Sequence, residues 1–279
     1  MQLLIIFVIF ALCSADEVPK KFDLRDHAGC GSRIKQVQSQ SLCLNSWAIQ
    51  AASVLSDRLC MMTTNADVEV SGMDILACCK GCMAGCYDYS ATVRRAFLHW
   101  TYRGVKTYLK NQTKCFPDYP ECKAFNDDTV TLPWHPCKGG YWGSLPTCKE
   151  KCDFEPIESG VIRGSELVEI KGNIDLIKQE LMHFGPMAFT IDLQAALVTY
   201  PGGIYIPNFN ALVLGQQSLK LIGWNEEEST PYWLARNSWG SKWGYDGVVR
   251  IAMYLPGGEV TLKSVAAPRL KDIDWQKRQ

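Results

Sequence analysis

Residues 40–48 read Gln40-Ser41-Leu42-Cys43-Leu44-Asn45-Ser46-Trp47-Ala48. Residues 231–240 read Pro231-Tyr232-Trp233-Leu234-Ala235-Arg236-Asn237-Ser238-Trp239-Gly240, with Trp243-Gly244 just beyond. The first stretch opens a helical pattern. From Gln40 to Leu59, the residues Trp47, Ala48, Ala51, Ala52, Val54 and Leu55 recur at three- and four-residue spacing. The second stretch is strand-like over Tyr232–Ala235, and similar apolar runs occupy Met187–Ile191, Leu219–Trp224 and Val248–Met253. Ser71 is placed to cap a short helix through Leu76, and Ser90 to cap another running to about Tyr102. Asn173 caps an amphipathic helix carrying Ile174, Ile177 and Leu181, which Gly185-Pro186 ends. The stretch from Leu109 to Cys152 is rich in Pro, Gly, Cys and aromatics and reads as loops held by disulfides. A helical half followed by a strand-rich half predicts an α+β protein of two lobes.

Composition narrows the function classes. The chain has 279 residues, enough to bury a core without help from metals. Charged residues make up 21% and apolar residues 47%, as in a globular protein. Lys+Arg and Asp+Glu are 29 each, so the net charge is zero, and no nucleic-acid partner is expected. Gly (22) and Pro (13) are ordinary, which excludes collagen-like and low-complexity chains.

The apolar run Leu3–Leu12, followed by Cys13-Ser14-Ala15, is too short to span a bilayer. It reads as a signal peptide over residues 1–15, with a domain over 16–279. The other reading is a buried N-terminal helix. No later stretch has transmembrane length, so no membrane span is expected. Removing Cys13 from thirteen cysteines leaves an even twelve, which in a secreted chain implies disulfides. None follows Cys152, so the first half is stapled and the second is not. The spacing of Cys78, Cys79, Cys82 and Cys86 by itself also fits zinc. In a secreted chain disulfides are expected instead, with no metal and no cofactor. Asn111-Gln112-Thr113 is a glycosylation sequon in a polar segment.

The two stretches quoted first, taken together, resemble the papain-like cysteine peptidases, and within them the cathepsin B branch. The resemblance runs from about Pro19 to Asp272. Phe22-Asp23-Leu24-Arg25 resembles the family's mature N-terminus, Ser56-Asp57-Arg58-Leu59-Cys60 the end of its central helix, and Asn237-Ser238-Trp239-Gly240 is its most specific single motif. The resemblance implies a two-lobe fold: a helical, disulfide-rich left lobe, a β-barrel-like right lobe and a cleft between. It implies no propeptide, since only a few residues separate Ala15 from Phe22; a truncated sequence is the alternative. It implies the pairs Cys30–Cys60, Cys43–Cys86, Cys78–Cys148, Cys79–Cys82, Cys115–Cys152 and Cys122–Cys137.

In this family a thiolate at a helix N-terminus attacks the peptide carbonyl, helped by the helix dipole and an imidazolium. A His is the base, an Asn orients it, and a Gln with a backbone N–H forms the oxyanion hole. The resemblance assigns Gln40 to the oxyanion hole, Asn237 to the orienting Asn and Trp239 to its shield. It puts the nucleophile position at Ser46. Aligned on Leu221-Ile222-Gly223-Trp224, it puts the base position at Gln217. A Ser hydroxyl needs a base in reach, and a Gln amide cannot accept a proton near neutral pH. No His follows His183, which ends a helix at a place where the family has no catalytic residue.

Other departures agree. Tyr87-Asp88-Tyr89 stands where the family has a Gly-rich segment, and Leu44 stands where it has Gly. Cathepsin B's loop with two adjacent His has as counterpart the loop between Cys122 and Cys137, where His135 is alone. The expectation is a secreted, catalytically inactive homologue that binds a peptide, a protease inhibitor or another extracellular protein. The alternatives are a working peptidase using Ser46 or another site, and a structural extracellular protein. A lysosome-like or other endomembrane compartment is the alternative location.

Overall fold

The computed structural model describes residues 17–38, 40, 46–63, 68–82, 92–109, 147–149 and 161–270. The chain enters through strand β1 (Phe22–Asp23), a 3-10 turn (Leu24–Asp26) and the short helix α1 (Gly31–Ile34). Helix α2 spans Ser46–Thr63, and its residues are buried almost all round from Ser46 to Cys60. A helix buried on nearly every face lies inside the protein, and its polar side chains there need partners. Strand β2 (Val68–Val70), helix α3 (Gly72–Cys78) and helix α4 (Val93–Arg103) pack on one side of it, followed by strands β3 (Val105–Leu109) and β4 (Val161–Ile162). Then come β5 (Glu166–Ile170), α5 (Ile174–Phe184), β6 (Met187–Leu193), α6 (Ala195–Val198) and β7 (Ile204–Tyr205). The chain ends in β8 (Gly215–Glu227), β9 (Thr230–Arg236), β10 (Val248–Ala252) and β11 (Val265–Arg269).

Strands β2, β3 and β4 form a small sheet in the helical half. The large sheet has eight strands in the order β5-β11-β6-β8-β9-β10-β7, with β1 added to β8. Pairing is antiparallel throughout except between β10 and β7. Gly223 lies where β1 crosses β8: a Cβ there would stand 2.1 Å from the Phe22 carbonyl oxygen. Phe22 stacks on Trp224 with ring centroids 4.9 Å apart, which fixes the entering segment.

The strand-rich lobe is barrel-like without closing. The sheet path ends at β5 and β7, which do not pair, so no closed barrel forms among the described residues. Helices α2 and α4 pack against β6, and α2 also against β8. The inner face is covered by helices and has no need to curl onto itself. One hydrophobic core, including Trp47, Trp100, Trp224 and Trp233, runs through both halves.

Polar side chains on α2 stitch the halves together. Within the helical half, the Ser56 hydroxyl accepts from the Val70 N–H at 2.9 Å; Arg58 links across the halves. Arg58 donates to the carbonyls of Pro186 at 2.7 Å and Pro268 at 3.2 Å, and pairs with Glu180 at 3.0 Å. Burial pushes the Arg58 guanidinium down to about 10. Disulfides join Cys30 to Cys60, Cys78 to Cys148 and Cys79 to Cys82. Those are three of the six pairs the resemblance implies; Cys43–Cys86, Cys115–Cys152 and Cys122–Cys137 lie outside the described residues, as do residues 1–15, Asn111 and His135.

Two helix caps form as read. Ser71 accepts from the Asp74 N–H at 3.0 Å, and Asn173 from the Leu176 N–H at 3.0 Å. Helix α4 starts after Thr92, which makes no side-chain cap bond; Ser90 lies outside the described residues.

Candidate functional site

The site forms where the first turn of α2 meets β8 and the chain leaving β9. The register of β8 against β6 sets Gln217 opposite Ile191 and Ser218 opposite Thr190. Beyond β9 the Asn237 N–H donates to the Gly247 carbonyl at 2.8 Å, which fixes the turn that carries Asn237-Ser238. The segment holding Gln40 is tied in by two backbone bonds: Gln40 N–H to Ser238 C=O at 2.8 Å, and Gly240 N–H to Gln38 C=O at 3.2 Å. On the helix side, Gln50 Nε2 donates to the Arg236 carbonyl at 3.2 Å. Three segments distant in sequence are thereby held in one place.

Within this frame Gln217 Nε2 donates to Asn237 Oδ1 at 2.6 Å and to Gln40 Oε1 at 3.0 Å. The Ser238 hydroxyl donates to the same Gln40 oxygen at 2.8 Å, and the Ser238 N–H donates to Asn237 Oδ1 at 2.8 Å. Asn237 Nδ2 is buried without a partner among the described residues. Ser46 begins α2, and its Oγ accepts from the Ser218 N–H at 3.1 Å. Gln40, Ser46, Gln217, Asn237 and Ser238 are all buried. None of the five side chains carries a charge at neutral pH.

The structure thus brings Gln40, Ser46, Gln217 and Asn237 together. Trp239 packs edge-on against Trp243, with centroids 5.0 Å apart. Ser238 is the residue that reading the sequence passed over as a site member. Its signal was its place beside Asn237 in a turn, while its bond to Gln40 crosses 198 residues of chain and belongs to the fold. His183 lies elsewhere, in the last turn of α5, and His99 sits in α4, where burial pushes its imidazole down from the ordinary value.

Chemically, the cluster is a network of neutral amides and hydroxyls. Gln217 presents N–H to Asn237 as an imidazole would, so it reproduces the orienting contact of a His. A carboxamide nitrogen has no lone pair free to take a proton, so it does not reproduce the base. Charge is found three residues further along β8. There Lys220 Nζ donates to Asp57 Oδ2 at 2.5 Å and to Ser53 Oγ at 2.6 Å, beneath α2.

Residues 18–265 match the family described as papain family cysteine protease. The chain belongs to that family. Its relatives set it in the cathepsin B-like branch. It is 31% identical over 242 residues to a cathepsin B-like cysteine proteinase of Schistosoma japonicum, covering 84% of this chain and 68% of the relative. It is also 31% identical over 244 residues to cathepsin B-like cysteine proteinase 6 of Caenorhabditis elegans, covering 84% of this chain and 62% of the relative. The fold is that of a procathepsin B from Trypanosoma congolense, with TM-score 0.72 and 25% identity over 92% of this chain and 80% of that one. A digestive procathepsin L from Tenebrio molitor shares the fold at TM-score 0.66 and 18% identity, over 92% of this chain and 72% of that one. No described helix of this family member is long and apolar enough to cross a membrane.

Proposed function

We propose that this papain-family chain is a catalytically silent, secreted homologue of the cathepsin B-like proteinases, and that it acts by binding. The observation that carries the reading is the Gln217 amide, whose nitrogen stands 2.6 Å from the Asn237 oxygen. The family's chemistry needs a proton acceptor at that place, and an amide supplies only a donor. The Ser46 hydroxyl at the start of α2 accepts a backbone N–H, and no titratable side chain among the described residues hydrogen-bonds to it. A neutral hydroxyl without a base is a weak nucleophile.

In this reading residues 1–15 are a signal peptide, Asn111 carries a glycan, and all twelve remaining cysteines pair as the resemblance implies. Gln40, Ser46, Gln217, Asn237 and Trp239 keep the outline of a peptidase site without its chemistry. The partner is a peptide held in the former cleft, a protease inhibitor drawn off by a decoy, or another extracellular protein. Purified secreted protein incubated with a panel of fluorogenic peptides is expected to show no turnover above buffer, and no labelling by thiol-directed epoxides. Turnover that Ser46→Ala abolishes would overturn the reading.

A further inference from the structure

A cavity of about 250 Å³ lies where helices α2 and α5 both end. Met61 in its wall is fifteen residues after Ser46, or about 22 Å along α2 at 1.5 Å per residue, so the cavity is remote from the peptidase-like site. Its apolar wall is made by Met61 and Met62 of α2, Met182 and Phe184 of α5, and Leu270 just after β11. Methionine is unbranched and adaptable, so such a wall moulds itself to a flexible hydrocarbon chain.

The charged part of the lining is cationic. Arg58 and Arg269 belong to it, and among the described residues no carboxylate does. The two guanidinium groups converge on Glu180, outside the lining, at 3.0 and 2.8 Å. Arg58 and Glu180 are buried, at 3% and 4% exposure, and balance each other. Arg269 is left with Glu166 at 3.4 Å, which is half exposed, and water screens that pair. Arg269 Nε has no hydrogen-bond partner among the described residues. The ends of α2 and α5 bring partial negative charge. At α5 Arg58 meets it, donating to the Pro186 carbonyl at 2.7 Å and the Gly185 carbonyl at 3.2 Å. The buried array Arg58–Glu180–Arg269 is therefore one negative charge short on the side of the cavity.

Charge and apolar wall meet in one place. The Arg269 guanidinium lies over the Phe184 ring, 4.4 Å from its centroid. Phe184 and Met62 are 46% and 42% exposed, although both line the cavity. Large apolar side chains left open beside an unbalanced cation fit a ligand with an anionic head and a hydrocarbon body. A single missing charge asks for a monoanion, and a guanidinium receives a carboxylate through two parallel hydrogen bonds. The volume sets the length. At about 30 Å³ for each water-sized group, the space holds about eight of them, the scale of octanoate.

We propose that this cavity binds a short fatty acid, with its carboxylate on Arg269 and its alkyl chain against Phe184, Met61, Met62 and Met182. Binding does not depend on the state of the peptidase site. Octanoate is the probe. The full chain, labelled in its methionine methyl groups, is titrated with octanoate and followed by NMR. Met61, Met62 and Met182 are expected to shift and saturate among the eight methionines. Octanol, which lacks the charge, and acetate, which lacks the chain, should each bind at least tenfold more weakly. Met62→Glu sets a carboxylate in the lining at a half-exposed position that tolerates it, and should weaken octanoate at least tenfold. Met62→Gln, of similar size and uncharged, should weaken it less than threefold. Octylammonium should show the opposite order, binding Met62→Glu better than the parent. Arg269→Gln gives a second, independent loss of at least tenfold. Equal affinity of the parent and Met62→Glu, shifts confined to other methionines, or shifts that never saturate would overturn the site. Octanol bound as tightly as octanoate would overturn the role of Arg269. N-acetylleucine bound as tightly as octanoate would make the ligand a peptide carboxyl terminus and overturn the fatty acid.

Discussion

Two buried polar clusters lie three residues apart on β8, and they differ in kind. Gln217 reaches Asn237 and Gln40 through neutral amides. Lys220 reaches Asp57 at 2.5 Å, and Asp57 also meets Arg33 at 3.5 Å. Lys220 is only 1% exposed, and burial pushes its ammonium down from the ordinary lysine range. The charged cluster has the titratable groups that usually mark a functional site, yet it lies sealed between α2 and β8. In the proposed reading, the neutral cluster lies where the family does its chemistry. Perturbed charge alone would point to the charged cluster; the proposed reading rests instead on the resemblance and on the chemistry of the side chains.

Removing Lys220 should have the largest effect. Lys220→Met leaves Asp57 buried with only a 3.5 Å contact to Arg33, and breaking one side of a buried pair costs about 3–5 kcal/mol. Urea unfolding should show the loss as a lower midpoint with unchanged slope. Replacing both partners, as Lys220→Met with Asp57→Leu, should recover part of it, because no charge is then stranded. If the single variant loses less than about 1 kcal/mol, the charged cluster is not what joins the halves.

The neutral cluster is sharpened by giving it back its chemistry. Ser46→Cys puts a thiol at the N-terminus of α2, and Gln217→His puts an imidazole against Asn237. General-base help contributes about 10²–10⁴-fold, and nucleophile and base act as a unit. The double variant should therefore exceed both singles on a dipeptide substrate, while each single stays near background. Rescue should remain weak, since the resemblance puts Leu44 and Tyr87-Asp88-Tyr89 where the family has small residues, and a misplacement of about 1 Å costs about a hundredfold. A double variant no faster than the singles would show that Gln217 does not occupy the base position. Rates typical of an active proteinase would show that the surrounding cleft was never altered.

Much of this contrast was visible in the sequence, though unevenly. The caps at Ser71 and Asn173 were legible because a cap is local chemistry, a side-chain oxygen and an N–H three residues on. Gln217 was placed by counting along a strand from Gly223-Trp224, and in the structure it meets Asn237. Strand β11 was passed over because Val265-Ala266-Ala267-Pro268-Arg269 has weak strand propensity and a proline. It pairs because β5 lies along one side, with Pro268 opposite Leu167, while the Pro268 carbonyl accepts from Arg58. The open sheet was not legible either: closure depends on whether helices cover the inner face, which no local pattern records. The turn of the Ser46 hydroxyl toward the Ser218 N–H joins residues 172 apart and exists only once the chain has folded.

The smallest expected effect comes from taking burial away and keeping charge. Arg94 on α4 meets Glu169 on β5 at 3.0 Å, with their side chains 49% and 24% exposed. The bond from Arg94, and then that from Ser264, hold the Glu169 carboxyl below the usual carboxylate range. A lowered folded value means that the unfolded chain binds the proton more readily. The stabilisation is therefore present above the ordinary glutamate value near about 4.3 and is lost as the pH falls through the lowered one. Water screens this pair, so Glu169→Gln should cost no more than about 1 kcal/mol at pH 7. The gap between variant and parent in urea midpoint should shrink as the pH falls through the lowered Glu169 value, where the parent loses its charge too. A gap that stays constant would make the contact one of shape rather than charge. A gap as large as that of Lys220→Met would mean that burial is not what separates strong pairs from weak ones in this protein.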